Sequence, residues 1–283
     1  MNAISIAGYS FHGALAAGSI DLYGYLESCR YRYQLDTADI WTGLLGNDPE
    51  QYLQRDHLLK VKAGLTERGL TLVNYHADGC HIWEDDPAVR ARQRALADRH
   101  IAAAELLDAK TIRIDAGGRT RHWTEPQLDV IAATYREWAQ RAADHGYAIG
   151  PETHWGPENH VDGMLQLAQA VNSPGYGILL HMGKDVDGAP DDYDRALAPL
   201  AVHTHIDQTT SYTRIESALR ILRDAGYRGC LGVEHHSARN EYAEVAAQLA
   251  LVRRGVTLLA AEPQPAAPAG NPLLGGDDVR HQR

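Results

Sequence analysis

The chain has 283 residues, 44% of them hydrophobic, and a formal net charge of −10 at pH 7. This length can bury one large core, so a single domain is the simplest prediction. The negative charge argues against a surface for nucleic acids or anionic membranes, because those partners are bound mainly through clustered Lys and Arg. We therefore expect a small-molecule partner, with no nucleic acid and no membrane.

The three cysteines, Cys29, Cys80 and Cys230, stand far apart and form no CxxC spacing. Neither a disulfide framework nor a structural zinc site is indicated. No stretch approaches the roughly 20 apolar residues that span a bilayer. We expect a cytoplasmic protein.

Short apolar runs alternate with helical patterns along the whole chain. Strands are predicted over 4–10, 34–41, 70–76, 111–115, 148–156, 176–182, 202–206 and 230–234. Helices are predicted over 19–31, 48–69, 86–108, 124–145, 161–171, 191–200, 213–225 and 241–258. Ser19 is a candidate N-cap, and the Asp-Pro pairs at 48–49 and 86–87 are typical helix starts.

Eight strand–helix pairs in strict alternation predict an α/β fold with one parallel sheet closed into a (β/α)8 TIM barrel. The barrel is expected over residues 1–260. Residues 261–283 are rich in proline and glycine and lack apolar periodicity, which predicts a short disordered, flexible tail.

Four of the predicted strands end in a carboxylate or an imidazole. Strand five leads into Glu152-Thr153-His154, and the next three strands end at His181, His205 and Glu234. Side chains alternate along a strand, so Glu152 and His154 should share one side. Because the active site of a barrel forms at the carboxyl ends of its strands, we expect these side chains to meet.

This set predicts one divalent metal ion held by Glu152, His181, His205 and Glu234. Two nitrogen ligands favour Mn²⁺, with Co²⁺, Fe²⁺ or Zn²⁺ as alternatives and Mg²⁺ less suited. A cation with open positions can polarise a carbonyl and its neighbouring hydroxyl. Glu152 and Glu234, from opposed strands, would then be the catalytic pair that moves protons off and onto carbon.

Other polar residues near the strand ends are candidates for catalysis or substrate binding. His154 is a candidate general base for a substrate hydroxyl, or else a packed, hydrogen-bonded histidine. His76 and Arg113 are candidate substrate contacts. Arg113 has the alternative of a structural ion pair with Asp115 or Glu152.

The loops after strands five and eight supply further candidates for substrate binding. Trp155 could stack on a sugar face, although indoles are as often core residues. Glu158 and Arg239 stand where a rim or lid would be, with an ordinary exposed charge as the alternative for both. His203 lies two residues before His205 on the same strand, and we expect it to pack inside the barrel or to support a metal ligand.

The sequence resembles the xylose isomerase-like TIM barrel superfamily, also called the sugar phosphate isomerase/epimerase family, over about residues 3–258. The resemblance rests on Glu152-Thr153-His154, His203-Thr204-His205 and Val233-Glu234, and on the run 102–113 before strand four. It implies a metal bound by Glu152, a strand-six residue, His205 and Glu234, with both glutamates as the acid–base pair. It also implies a possible homo-oligomer or partner subunit.

Strand six departs from the family pattern. The family usually places Asp where His181 stands, so either His181 is the ligand, as we expect, or the acid comes from Asp185 or Asp187. Lys184 occupies a position where members often carry His. A catalytic or binding lysine there could hold a phosphate or carboxylate, or stabilise an enolate.

These features favour a divalent-metal-dependent sugar isomerase or epimerase that transfers a proton next to a carbonyl of a keto-sugar or related polyol. The alternative is a metal-dependent lyase that cleaves 3-keto-glycosides or C-glycosides by elimination. A DNA-repair barrel is disfavoured by the negative charge, and a binding barrel without catalysis by the complete ligand set. No glycine-rich phosphate loop follows strands seven or eight, which favours an unphosphorylated substrate.

Overall fold

A computed structural model describes residues 2–262. Its strands are β1 (Ile4–Ile6), β2 (Thr37–Trp41), β3 (Thr71–Trp83), β4 (Thr111–Gly117), β5 (Ala148–Gly150), β6 (Ile178–His181), β7 (Ala201–Ile206) and β8 (Cys230–Val233). Its α-helices are α1 (His12–Ala16), α2 (Leu22–Glu27), α3 (Pro49–Tyr52), α4 (Arg55–Glu67), α5 (Pro87–Leu106), α6 (Glu125–His145), α7 (Val161–Val171), α8 (Pro190–Leu197), α9 (Gln208–Thr213), α10 (Ile215–Asp224) and α11 (Glu241–Ala260).

The strands form two parallel four-stranded sheets, with the orders β1-β8-β7-β6 and β2-β3-β4-β5. Isolated parallel bridges connect the sheet edges. Ala7, just after β1, pairs with Asp39 in β2, and Glu152, just after β5, pairs with Leu179 in β6. Backbone pairing therefore passes around all eight strands, which confirms the predicted α/β barrel.

Most helix starts and ends follow the local signals in the sequence. The Asp86 side chain accepts hydrogen bonds from the amides of Ala88 and Val89 at the start of α5. Thr124 forms a capping box at the start of α6, and Gly146 ends that helix with a φ of 77°. The first predicted cap is wrong, because Asp21 rather than Ser19 caps α2 and accepts from the Gly24 amide at 2.8 Å.

Two strands differ from their predicted lengths. β3 continues beyond its predicted end at His76, because it keeps pairing with β4 as far as Trp83 and Gly117. β5 ends at Gly150, so Glu152 lies in an isolated bridge beyond the strand rather than inside it. Both differences lie at the carboxyl end of the barrel and shape its opening.

Two predicted helices are each interrupted by a short break. The helix expected over 48–69 forms α3 and α4, and the helix expected over 213–225 begins earlier and is divided into α9 and α10. Ala261 and Glu262, at the start of the predicted flexible tail, are described, and Glu262 pairs with Arg220 and Arg223. The rest of that tail lies outside the described residues.

Within residues 2–262, no helix is both long and apolar enough to cross a membrane.

Candidate metal centre

The four predicted ligands meet at the carboxyl end of the barrel. Glu152, His181, His205 and Glu234 are all buried, and one potential ligand atom from each lies within 4.8 Å of the other three. The Nδ1 atom of His181 is 3.2 Å from Glu152 Oε1 and 3.4 Å from Glu234 Oε2. The Nδ1 atom of His205 is 3.3 Å and 3.4 Å from the same two oxygens. We call this group the four-residue cluster.

The hydrogen bonding of His205 shows that the cluster needs a positive charge. Its Nε2 atom lies 3.3 Å from Asp39 Oδ2, so Nε2 carries the hydrogen and Nδ1 presents a lone pair to two carboxylate oxygens. Burial alone would lower the pKa of His205, but Glu234 and the contacts with Asp39 and Glu152 raise it well above its usual value. The lone pair of Nδ1 and the two carboxylate oxygens repel each other. Either a proton or a metal ion between these atoms removes that repulsion.

The spacing of the cluster also suits a metal ion. Ligand atoms held about 2.1 Å from one cation lie roughly 3.4 Å apart in a tetrahedral arrangement. The four observed contacts between imidazole nitrogen and carboxylate oxygen, at 3.2–3.4 Å, are close to that spacing. Two nitrogen and two oxygen donors match a divalent transition metal. The residues present therefore fit the metal that the resemblance implies.

Both glutamates of the cluster are held in the ionised form. Burial would raise the pKa of Glu152, but Arg113 and the two histidines of the cluster lower it well below its usual value. Burial would likewise raise the pKa of Glu234, but His205 and His236 lower it well below its usual value. Each glutamate can therefore act as an anionic ligand at neutral pH.

Asp39 supports the cluster from strand β2, on another part of the barrel, and was not singled out from the sequence. It is fully buried and accepts hydrogen bonds from His203 Nε2 at 2.7 Å and Asn74 Nδ2 at 2.8 Å, in addition to its contact with His205. His203 is thus placed as expected, in the interior beside a ligand. A lone acid in the middle of the buried run Thr37–Trp41 is the signal that could have found Asp39.

Arg113 forms the ion pairs that were its alternative role. Its Nε and one terminal nitrogen lie 3.0 Å and 2.9 Å from Glu152 Oε2. Its other terminal nitrogen is 2.9 Å from Asp78 and 3.1 Å from Asp115. Burial would lower the pKa of Arg113, but Asp115 and Glu152 raise it above its usual value. Arg113 therefore stays charged and fixes the outer oxygen of Glu152.

A cavity of about 870 Å³ opens above the cluster. Two of the eleven predicted site residues, His181 and His205, lie in the cluster without lining the cavity. Seven others line it: Glu152, Glu234, His76, Arg113, His154, Trp155 and Glu158. Lys184, half-buried after β6, and Arg239, exposed after β8, are not among the lining residues. The structure thus brings together all the candidates except these two.

His76 and His154 flank Glu152 inside the cavity. The Nε2 atom of His76 lies 3.2 Å from Asp78, and its buried Nδ1 atom has no hydrogen-bond partner among the described residues. His154 Nδ1 is 3.9 Å from Glu152 Oε2. Burial lowers the pKa of His154 to about 4, against the opposing effect of Glu152, so its ring is neutral at pH 7.

Glu158 and Trp155 differ in their exposure. Glu158 is fully buried, which contradicts both the rim position and the ordinary exposed charge expected for it. One of its oxygens accepts a hydrogen bond from the Ala116 amide, and the other has no partner in the part of the chain that the structure describes. Burial, with the nearby Asp115, raises the pKa of Glu158 well above its usual value, which favours a neutral carboxyl group. Trp155 is 59% exposed and lines the cavity mouth.

Two further lining residues, Tyr9 and His236, were not assigned a role from the sequence. His236 Nε2 lies 2.9 Å from Glu234 Oε2, and the Tyr9 ring packs edge-on against His236 with a centroid distance of 6.0 Å. Burial would lower the pKa of His236, but its bond to Glu234 raises it. The two histidines that directly follow Glu234 are the sequence signal that could have found His236. The sequence around Tyr9 contains no comparable signal for that residue.

Of the strand-six candidates, His181 is the one that lies in the four-residue cluster. Asp185 is exposed, and Asp187 accepts from the Val161 amide at 2.8 Å and contacts His160 at 2.9 Å. Neither acid belongs to a described cluster that could hold a metal.

Comparison with known proteins agrees with this architecture. A solved structure of D-psicose 3-epimerase from Clostridium cellulolyticum H10 is 16% identical, with a TM-score of 0.70 over 90% of this chain and 99% of that one. The 3-keto-D-glucoside 4-epimerase of E. coli is 17% identical, with a TM-score of 0.65 over 83% and 94% of the two chains. The probable 3-DHS dehydratase of Bacillus anthracis is 14% identical, with a TM-score of 0.68 over 89% and 98%.

At these identities the similarity to solved structures shows the fold alone. No curated protein matches the chain. The family model described as xylose isomerase-like TIM barrel matches residues 35–255, which is most of the barrel. The chain therefore belongs to the xylose isomerase-like TIM barrel family.

Proposed function

We propose that this protein is a divalent-metal-dependent sugar isomerase or epimerase that transfers a proton next to the carbonyl of a keto-sugar or related polyol. The observation that carries the proposal is the four-residue cluster at the base of the cavity, where two ionised glutamates and two imidazoles converge. Mn²⁺ is the metal we favour, because the donor set is richer in nitrogen than Mg²⁺ prefers.

The residues of the site can divide the work of such a reaction. When bound, a metal held by Glu152, His181, His205 and Glu234 would act as a Lewis acid on a substrate carbonyl. Glu234 is available to carry a proton to or from carbon, since it lines the cavity beside His236. The neutral His154 ring can accept a proton from a hydroxyl, and the neutral carboxyl group of Glu158 can donate a hydrogen bond.

The charge of the cavity favours an unphosphorylated substrate. Two guanidinium groups, those of Arg113 and Arg119, line it together with seven carboxyl groups: Asp78, Glu84, Asp85, Asp115, Glu152, Glu158 and Glu234. Arg113 is already paired with three of these acids. Lys184, the candidate phosphate ligand, does not line the cavity. A phosphate would therefore meet net repulsion.

The contacts of Arg113 favour a second function, elimination by a lyase. Both oxygens of Glu152 are engaged, Oε1 with the imidazoles of the cluster and Oε2 with Arg113, whereas no arginine within residues 2–262 pairs with Glu234. An epimerase needs acid–base groups on both faces of the substrate carbon, but an elimination can proceed from a single base. The fold is shared with a dehydratase and with a 3-keto-glucoside epimerase, which makes 3-keto-glycosides the substrates to test for this reaction.

Proton exchange with solvent tests both functions in one experiment. The Mn²⁺-loaded protein is incubated in D₂O with ketoses and with neutral 3-keto-glycosides, and carbon-bound deuterium is followed by NMR. An isomerase or epimerase incorporates deuterium and forms the isomeric sugar, whereas a lyase releases the group that was joined to the sugar. Glu234→Gln should abolish either outcome. Absence of exchange and release in the wild-type protein with bound metal, across both substrate sets, would contradict the proposal.

A further inference from the structure

The cavity extends well beyond the metal centre. At its base, Glu152 and Glu234 are 1% and 3% exposed, whereas Trp155 at its mouth is 59% exposed. Its volume of about 870 Å³ lies in the upper part of the ~300–1,000 Å³ range of pockets that enclose drug-sized ligands. A single sugar ring at the cluster would leave the mouth unfilled.

Two indoles form the walls of this outer region. Trp83 comes from the end of β3, because that strand continues beyond its predicted end at His76, and Trp155 follows β5. Trp83 is fixed in place: its Nε1 donates to Asp85 at 3.1 Å, and the Arg90 guanidinium lies 3.7 Å from its ring centroid. Trp155 packs against His154 with a centroid distance of 4.1 Å and keeps most of its surface in solvent.

Polar groups accompany the indoles. Glu84, which is bonded to His81, lines the outer region with Gln127 from α6 and the exposed Arg119 after β4. Flat apolar surfaces with separate hydrogen-bonding groups are suited to a ring that carries hydroxyls. Two carboxylates of this wall, those of Glu84 and Asp85, face a single arginine, Arg119, so a neutral ring is favoured over an anionic one.

We propose that this outer subsite, formed by Trp83, Trp155, Glu84, Arg119 and Gln127, binds a second ring joined glycosidically to the sugar that sits at the four-residue cluster. The substrate would then be a neutral glycoside rather than a free monosaccharide. The inference deepens the proposed function and rests on it for the inner sugar; the outer ring itself is argued from the indoles, the volume and the charge.

Steady-state kinetics of Trp155→Ala tests the subsite. With a neutral 3-keto-glycoside, KM should rise about tenfold with kcat nearly unchanged, because one aromatic contact is lost. With the free 3-keto-sugar, both constants should stay at wild-type values. Tyr212→Ala, which removes an aromatic side chain that is 51% exposed and does not line the cavity, is the matched control. Equal effects of Trp155→Ala on both substrates, or none on either, would overturn the proposal.

A binding measurement separates failure of the subsite from failure of the reaction. Calorimetric titration with an unoxidised neutral glycoside, for example an aryl glucoside or a glucose disaccharide, requires no turnover. Binding that is retained in Tyr212→Ala and weakened in Trp155→Ala supports the subsite even if the proposed reaction is absent. Binding that is the same in Trp155→Ala and the wild type rejects the subsite even if the enzyme turns over monosaccharides.

Discussion

Arg113 donates two hydrogen bonds to one oxygen of Glu152, Oε2, while the other oxygen of that carboxylate lies beside the two cluster histidines. The pair follows from strand register, because β4 and β5 place Arg113 opposite Gly150, two residues before Glu152. One carboxylate is thereby oriented by an arginine and offers its second oxygen to the metal centre.

Removing the guanidinium should destabilise the fold strongly. In Arg113→Met, the carboxylates of Glu152, Asp115 and Asp78 lose their shared cation. We expect the free energy of unfolding to fall by about 3–5 kcal/mol, the range measured when one partner of a buried ion pair is removed. Urea unfolding measures this difference. Arg92→Met, at an exposed position, should change it by less than about 0.5 kcal/mol; similar losses in both variants would contradict a special role for Arg113.

Neutralising Asp39 should weaken metal binding without unfolding the protein. Asp39→Asn keeps the shape of the side chain but removes the charged acceptor that keeps the hydrogen of His205 on Nε2. Loss of such a supporting carboxylate typically costs about 10–100-fold in metal affinity. Competition with a fluorescent chelator measures the affinity for Mn²⁺. Asp56→Asn on the exposed face of α4 is the control; unchanged affinity in Asp39→Asn would show that His205 does not need this partner.

Metal binding should strengthen as the pH rises. The pKa of His205 is raised in the folded chain. Without metal, the protonated ring therefore stabilises the fold fully at pH values below the ordinary histidine pKa of about 6.5. This contribution is lost as the pH rises through the raised pKa. A metal ion replaces that proton. The increase in Tm on adding Mn²⁺ should therefore be larger at pH 8 than at pH 6, with release of protons detectable by calorimetry in two buffers. A Tm increase that shrinks with pH would contradict ligation by His205.

The fold was largely readable from the sequence because the eight units carry local signals. Asp86 caps α5 and Gly146 ends α6, as their positions beside apolar periodic runs indicated. The lengths of β3 and β5 were wrong because pairing with a neighbouring strand, rather than local composition, decided where each ends.

The site was readable where its residues stand at strand ends. Glu152, His181, His205 and Glu234 each follow an apolar run, and the structure collects them in one cluster. Asp39 and Tyr9 were missed, because their contacts come from strands and loops distant in sequence. Glu158 was placed at the rim because it lies in a loop after strand five. Its burial results from tertiary packing, which its position in the sequence does not reveal.

The Asp86 cap provides a test of the fold away from the cavity. Its side chain accepts from the Ala88 amide at 2.7 Å at the start of α5. Asp86→Ala should lower the free energy of unfolding by about 0.5–2 kcal/mol, as for other lost N-caps. Urea unfolding measures the change, with Asp129→Ala on the exposed face of α6 for comparison. An Asp86→Ala variant as stable as the wild type would contradict the capping contact.

The most direct test of the metal centre is elemental analysis of the purified protein after equilibration with Mn²⁺, beside its Glu234→Gln and His181→Ala variants. We predict about one divalent metal ion per chain in the wild type, and loss or clear weakening of binding in both variants. A wild-type chain that contains no metal and takes up no Mn²⁺ would contradict both the isomerase and the lyase. Full retention of metal in His181→Ala alone would remove His181 from the ligand set and leave the strand-six ligand to be sought at Asp185.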